Sequence, residues 1–292
     1  MTLAPPREAF AAAKVNLFLH VGARKADGYH PIASLIVFAD VGDRLTVESA
    51  SGPASLRTEG PFAAGLPRDD ENLVLRACGM LAPDGGVRFV LDKQLPLAAG
   101  LGGGSADAAA TLRLLNARLA KPLARREFLS AAQALGADTA ACLGSEPVVA
   151  TGRGDRLTPA PKFPALDGVL VNPGVASLTG GVYRALDEQG RAKAADLPGL
   201  HDRYDAEQIA SLVRETRNDL EEPAIGLEPA IGEALAALNR QPETLAARMT
   251  GSGATVFSLC ANAAEAARLA ARLASTRRDW WVRACRLGSG PK

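Results

Sequence analysis

From Pro96 the chain reads Pro-Leu-Ala-Ala-Gly-Leu-Gly-Gly-Gly-Ser and then turns at once into a helical pattern; no other stretch limits the possible folds as tightly. Glycine takes backbone angles closed to other residues and lets the main chain come close to a ligand. Beyond Ser105, which is expected to cap the helix, Ala108, Leu112, Leu115 and Leu119 recur at the spacing of one buried stripe. A helix start offers unpaired N–H groups and a partial positive charge. A glycine turn feeding it therefore suits an anion such as a nucleotide phosphate. Taken alone, the segment reads equally well as a close-packed turn. Two familiar loops are excluded by spacing. The dinucleotide fingerprint needs Gly or Ala at its sixth position, where counting from Gly100 gives Ser105 and from Gly102 gives Asp107. The P-loop needs a Gly-Lys pair, and the chain has none.

Around this loop the periodicity predicts a mixture of strands and helices. Lys14 to Val21 alternates as a strand, with Val15, Leu17, Leu19 and Val21 on one face and Lys14, Asn16, Phe18 and His20 on the other. A turn at 25–28 follows, then separate strands over 35–39, 43–48 and 87–92, with a helix over 71–81 between the last two. Downstream, a helix over 125–135 stops at Gly136, and a hairpin spans 148–157. The Pro-rich stretch 158–164 reads as a linker, dividing the chain into residues 1–160 and 161–292. The second part should hold a short strand at 169–171 and helices from Thr179, over 206–217 and over 228–238. After these come the Gly251-Ser252-Gly253 turn, a strand over 255–260, an Ala-rich helix to Ser275 and a last strand around 280–287. Without regular βαβ alternation, the class is α+β in two halves.

Composition narrows the function. With 292 residues and 47% hydrophobic content, the chain can bury a large core. A net charge of +1 gives no footprint for nucleic acid. The arginines gathered near the end (Arg268, Arg272, Arg277, Arg278, Arg283 and Arg286) read as a solvated face. Four separated cysteines and three scattered histidines lack metal-ligand spacing and suit a reduced, cytoplasmic protein. The first twenty residues lack a leader pattern, and no apolar run is long enough to span a membrane. Oligomeric state cannot be read from these features.

Three segments together resemble the GHMP kinase superfamily: Ala13-Lys14-Val15-Asn16-Leu17, the loop Pro96 to Ser105, and Met249-Thr250-Gly251-Ser252-Gly253-Ala254. Within it, Asp27-Gly28-Tyr29-His30, Glu71-Asn72-Leu73, Gly136-Ala137-Asp138 and Asn172-Pro173-Gly174 are similar to the branch that phosphorylates the C2 hydroxyl of a cytidine-diphosphate-linked methylerythritol. That branch serves the non-mevalonate route to isoprenoids. The resemblance spans about residues 10 to 260. It implies a two-domain GHMP kinase fold, with a ribosomal protein S5 domain 2-like N-terminal half and a ferredoxin-like C-terminal half. Two positions depart from the branch: Ala106 stands where a second Ser is common, and Thr139-Ala140-Ala141-Cys142 replaces Val-Pro-Phe-Phe after Asp138.

The resemblance also implies roles. ATP is the donor, bringing Mg²⁺ with it, and its phosphates would lie on Pro96, Leu97, Ala98, Ala99, Gly100, Leu101, Gly102, Gly103, Gly104, Ser105 and Ala106. Asn72 and Lys93 would reach the adenine. Asp138 would take or aim the hydroxyl proton, with Lys14 beside it to offset charge on the transferring group. Asn16 would orient the acceptor. Tyr29 and Tyr183 would sandwich the cytosine, with His30 reading its edge. Thr179, Gly251, Ser252 and Gly253 would face the substrate diphosphate or the ATP phosphates. Two rivals stand beside this reading: a kinase of the same superfamily acting on homoserine or a sugar, and an inactive nucleotide-binding regulator. The first would have no use for Tyr29-His30, and the second none for Lys14 and Asp138. A Ser105 hydrolase lacks any surrounding histidine–acid pattern.

Overall fold

A computed structural model describes residues 5–67, 69, 71–190 and 193–291. Residues 1–4, where the segment read as leaderless begins, and residue 292, the end of the second expected domain, lie outside the described residues. In the first part β1 (Glu8–Val21), β2 (Ile32–Ser49), β3 (Ser55–Glu59), α1 (Leu73–Leu81) and β4 (Val87–Asp92) precede the glycine loop. Then follow α2 (Gly103–Asn116), α3 (Arg125–Leu135), α4 (Ala137–Cys142), β5 (Val148–Gly152) and β6 (Arg156–Pro159). The second part contains β7 (Leu166–Asn172), α5 (Thr179–Gln189), α6 (Ala206–Glu215), α7 (Glu221–Leu227) and α8 (Pro229–Asn239). It closes with β8 (Ala246–Met249), β9 (Val256–Cys260), α9 (Ala263–Thr276) and β10 (Trp281–Gly288).

The two strands expected over 35–39 and 43–48 are one 18-residue strand, β2: Gly42 pairs with Ala12 and Ala39 with Leu287, and the strand runs on through a register shift at Asp40 and Val41 instead of turning. β2 organises the sheet. It pairs along its length with β1, at its start with β5, at its end with β4, and through Phe38 and Ala39 with β10. Through β10 the sheet continues into β7, β9 and β8, so one ten-stranded sheet runs through both parts of the chain. All its pairings are antiparallel except β3 with β4. Thr158 and Pro159, assigned above to the linker, are paired with β5 as the end of β6.

β1 departs from simple alternation. Its pairing with β2 shifts register between Ala12 and Lys14 and again between Asn16 and Phe18. The second bulge turns Leu17 and Phe18 into the same core, contrary to the expected two faces, and the pair of bulges brackets Lys14–Asn16. Bulges commonly re-aim side chains beside functional sites. α2 lies over β1 and β2 with Ala106, Ala109, Ala110 and Leu114 buried among Phe38, Leu45 and Phe89. α1, α3 and α4 pack around it through Ala77, Ala108, Leu112 and Ala132. The small residues of α2 let it approach the sheet closely, which fixes the height of the glycine loop above β1. In the second part, α7, α8 and α9 cover β7, β9 and β10 through Ala224, Ile231, Leu238, Leu269 and Leu273.

Candidate active site

Lys14 and Asn16 face a cleft of about 1010 Å³ between the two parts of the chain. The Lys14 N–H donates to Leu101 O at 2.8 Å, tying β1 to the glycine loop. Its side chain runs along the loop, where a Cβ on Gly102 would lie 3.4 Å from that of Lys14. The ammonium stands 3.2 Å from Asp138 Oδ2 and 3.5 Å from Oδ1. Lys14 is 7% exposed and Asp138 45%, so the amine is enclosed while the carboxylate keeps access to the cleft. α4, a short helix absent from the expected elements, carries Asp138 in its first turn.

All ten residues from Pro96 to Ser105 line the cleft, while Ala106 is buried behind them. Gly102, not Ser105, is the N-cap of α2. Its φ of +63° is a left-handed angle that glycine adopts without strain, and the helix starts three residues earlier than the serine suggested. The helix also ends at Asn116, leaving Leu119 in the following turn. The Ala106 N–H closes the first helical bond on Gly102 O, and the amides of Gly103, Gly104 and Ser105 belong to the turn that helices leave without internal partners. Unpaired amides at a helix start are groups that an anion in the cleft could meet.

The third glycine segment abuts this loop. A Cβ on Gly100, whose φ is +73°, would fall 2.5 Å from Thr250 O and 2.8 Å from Gly253 O. Main-chain bonds from Thr255 N to Ala99 O (3.1 Å) and from Ser177 N to Ala98 O (3.0 Å) complete the seam. Asn16 N–H donates to Thr250 Oγ1 at 2.8 Å, so β1 joins the same assembly. Gly251 and Ser252 line the cleft, and Gly253 stands behind them against Gly100. Thr179 Oγ1 and Ser252 Oγ lie 2.9 Å apart.

At the other end of the cleft stand Tyr29, His30 and Tyr183. The His30 and Tyr183 rings are 5.0 Å apart at 44°, and His30 Nδ1 faces Gly22 O at 2.9 Å. Burial, and after it the Asp138 charge, push the Tyr183 phenol up to about 12. Tyr29 is 56% exposed, with the Arg153 guanidinium 4.1 Å over its ring. Asn16 donates from Nδ2 to Ser34 Oγ at 2.7 Å and keeps a buried Oδ1 without a hydrogen-bond partner among the described residues.

Asn72 and Lys93 are occupied inside the protein. Asn72 is the N-cap of α1: its side chain accepts from Val74 N and donates to Pro67 O, and it does not line the cleft. Lys93 touches the cleft wall, but its ammonium lies between Asp43 and Asp107, 2.6 Å from each.

Several residues at the site escaped sequence reasoning. Asp187 lies 3.4 Å from His30 Nε2 and 3.9 Å from Arg24. It follows Tyr183 by four positions, the spacing of one helix face, and that signal could have found it. Arg153 was hidden in a hairpin turn, where a charge attracts no notice; it bonds Asp27 at 2.6 Å. Asn218, buried, donates to Met249 O and Gly251 O at 2.9 and 2.8 Å and so holds the third glycine segment. No local pattern marks that role.

Comparison with known proteins bears on these observations. A model of the GHMP kinases N terminal domain matches residues 72–146, and one of the GHMP kinases C terminal domain matches residues 198–278. The chain is 55% identical over 293 residues to the 4-diphosphocytidyl-2-C-methyl-D-erythritol kinase of Caulobacter sp. (strain K31), covering 97% of this chain and 99% of the relative. It is 47% identical over 278 residues to the protein of that name from Paracoccus denitrificans (strain Pd 1222), covering 95% of each. A crystal structure of 4-(cytidine 5'-diphospho)-2C-methyl-D-erythritol kinase superposes with a TM-score of 0.77 at 34% identity, over 97% of this chain and all of the other. Homoserine kinase from Cytophaga hutchinsonii, at 18% identity and a TM-score of 0.70, covers the whole of this chain and 98% of its own; it shares the fold.

Proposed function

The chain belongs to the 4-diphosphocytidyl-2-C-methyl-D-erythritol kinase family of the GHMP kinases, and from that premise we propose that it transfers the γ-phosphoryl group of ATP to the C2 hydroxyl of 4-diphosphocytidyl-2-C-methyl-D-erythritol. The products are ADP and the 2-phosphate, a step of the methylerythritol phosphate route to isoprenoids. The observation that carries this reading is the Lys14–Asp138 pair, 3.2 Å apart, standing in the same cleft as the glycine loop.

Phosphoryl transfer asks the protein chiefly for placement and for stabilisation of negative charge. The amides at the head of α2 would receive the ATP phosphates. Asp138 accepts the proton of the C2 hydroxyl as that oxygen forms its bond to the γ-phosphorus, and the bond from phosphorus to the β–γ bridging oxygen breaks to release ADP. A base in this position contributes ~10²–10⁴-fold. The Lys14 ammonium orients the carboxylate and offsets charge on the transferring oxygens. Asn16, which lines the cleft beside Lys14, would orient the acceptor.

Mg²⁺ fits the site as a companion of ATP. Among the described residues only two carboxylates, Asp138 and Asp187, line the cleft, too few for a protein cage, so phosphate oxygens and waters would supply most of its ligands. Bound there, it would neutralise phosphate charge. For the cytidine end, Tyr29 and Tyr183 offer faces for stacking and His30 offers its edge; Thr179 and Ser252 present hydroxyls to the diphosphate. We place the division of the chain at 160/161, after β6 ends at Pro159, and the protein in the cytoplasm, in keeping with four free cysteines.

The test is ADP release from ATP with a panel of alcohols. Turnover should require the cytidylyl compound, with CDP competing against it. Turnover with homoserine or a sugar, unaffected by CDP, would overturn the substrate assignment.

A further inference from the structure

Under the glycine loop lies a group of charges that the phosphoryl transfer described above does not use. Asp43 of β2, Lys93 just after β4 and Asp107 of α2 are 0%, 1% and 2% exposed. The Lys93 ammonium donates to Asp43 Oδ2 and Asp107 Oδ2, each at 2.6 Å. Asp43 Oδ1 accepts the N–H groups of Gln94 and Leu95 at 2.7 and 2.8 Å, fixing the chain where it enters the loop. A Cβ on Gly103 would lie 3.0 Å from Lys93 Nζ and 3.6 Å from Asp43 Oδ2. The cluster is thus the floor beneath the first turn of α2.

Buried ion pairs are weak net stabilisers, and well-packed apolar groups often serve a core as well. This cluster is costlier than a pair, with two carboxylates facing one ammonium and Asp107 Oδ1 lacking a hydrogen-bond partner among the described residues. Fully ionised it carries −1 beneath a loop that would hold phosphates; with one proton it is neutral. We propose that Asp107 is a positioning residue for the nucleotide: through Lys93 and Asp43 it sets the glycine loop, and its proton keeps the floor of that loop neutral while phosphates are bound. This rests on the ATP reading given above.

The environment supports such a proton. Burial, opposed by Lys93 and aided by the Asp43 charge, pushes Asp107 up to about 7. The other titratable group in its field is the Cys142 thiol of α4, which burial pushes up to about 12 and so keeps neutral. Neighbouring cations are engaged elsewhere: Lys14 of β1 faces Asp138, and Arg113 of α2 gives its guanidinium to the Phe10 and Cys142 carbonyls. Lys93 remains the cation that faces Asp107.

The experiment compares the full-length parent with Asp107→Asn and Asp107→Ala, measuring KM for ATP and for the acceptor, and Kd for a non-hydrolysable ATP analogue, between pH 6 and 8.5. ATP's own titration is common to all three proteins. In the parent, KM for ATP should rise with pH on the order of tenfold more than in Asp107→Asn, the effect of one nearby unit charge in a partly screened site. KM for the acceptor should show no such difference. Asp107→Ala should weaken analogue binding about tenfold at every pH, with Asn restoring most of it. Identical pH profiles in parent and Asp107→Asn, or equal damage to both substrates in Asp107→Ala, would overturn the proposal. Should the alanine variant not fold, the asparagine comparison decides alone. A parent that binds no ATP analogue would instead bring down the kinase reading, a distinct outcome.

Discussion

Substituting Gly100 by alanine tests whether the close approach of the two glycine loops matters for transfer. Two penalties combine at this position. The φ of +73° is left-handed, costing a non-glycine residue roughly 1–2 kcal/mol. The new Cβ would also lie 2.5 Å from Thr250 O, 2.8 Å from Gly253 O and 2.9 Å from Gly253 N, all of them backbone atoms that cannot rotate aside. Restoring an ordinary 3.4 Å contact with Thr250 O opens the seam by about 0.9 Å. A shift of about 1 Å in a positioned group can cost about 100-fold in rate, or ~2.7 kcal/mol of barrier. Gly102→Ala is the internal control. It too has positive φ, yet its Cβ would meet only the Lys14 side chain, at 3.4 Å or more. Initial rates of ADP release should therefore show kcat/KM reduced about 100-fold in Gly100→Ala and less than about tenfold in Gly102→Ala. Equal losses in the two variants, or a Gly100→Ala protein as active as the parent, would refute the argument from loop contact.

Asn218→Ala removes two donors from the Met249 and Gly251 carbonyls and an acceptor from Leu220 N. Leaving these buried groups unpaired should cost about 2–3 kcal/mol, seen as a fall of several degrees in Tm; an unchanged Tm would show the asparagine to be dispensable. Asp107 supplies a pH signature of stability. Its folded-state value of about 7 exceeds the 3.8 of a free carboxyl, so the native protein holds a proton that the unfolded chain has released. The unfolded state binds fewer protons across that window, so the contribution is fully present below 3.8 and declines as pH rises toward about 7. Plotted against pH, Tm of the parent relative to Asp107→Asn should fall through this range, and a level difference would contradict the buried proton.

Much of the fold was legible because local pattern and tertiary environment agree. β4 and α3 occupy the residues their periodicity marked, and α9 and β10 fall within one residue of theirs where a boundary was named. The misreadings have physical causes. Asp40 to Gly42 separates the two expected strands, but the pairs Ala12–Gly42 and Leu287–Ala39 on either side carry β2 through. The register shifts between β1 and β2 cannot be read from alternation, since they depend on the partner strand. β3, β8 and the seven-residue α7 are too short for a periodic signal. In the site, the segments carrying Lys14, the glycine loop and Asp138 were legible as separate motifs. Their convergence is a tertiary fact, made by the Lys14 to Leu101 bond and by α4. Lys93 was expected to reach the adenine; its burial against two carboxylates, 50 residues before it and 14 after, carries no local signal.

In the proposed mechanism Asp138 receives the acceptor's proton beside Lys14. Steady-state turnover of Asp138→Asn, with calorimetric binding of an ATP analogue and of the cytidylyl acceptor to the same protein, tests it most directly. The expected result is kcat lowered ~10²–10⁴-fold with both affinities within about threefold of the parent. Parental turnover in the variant would contradict it.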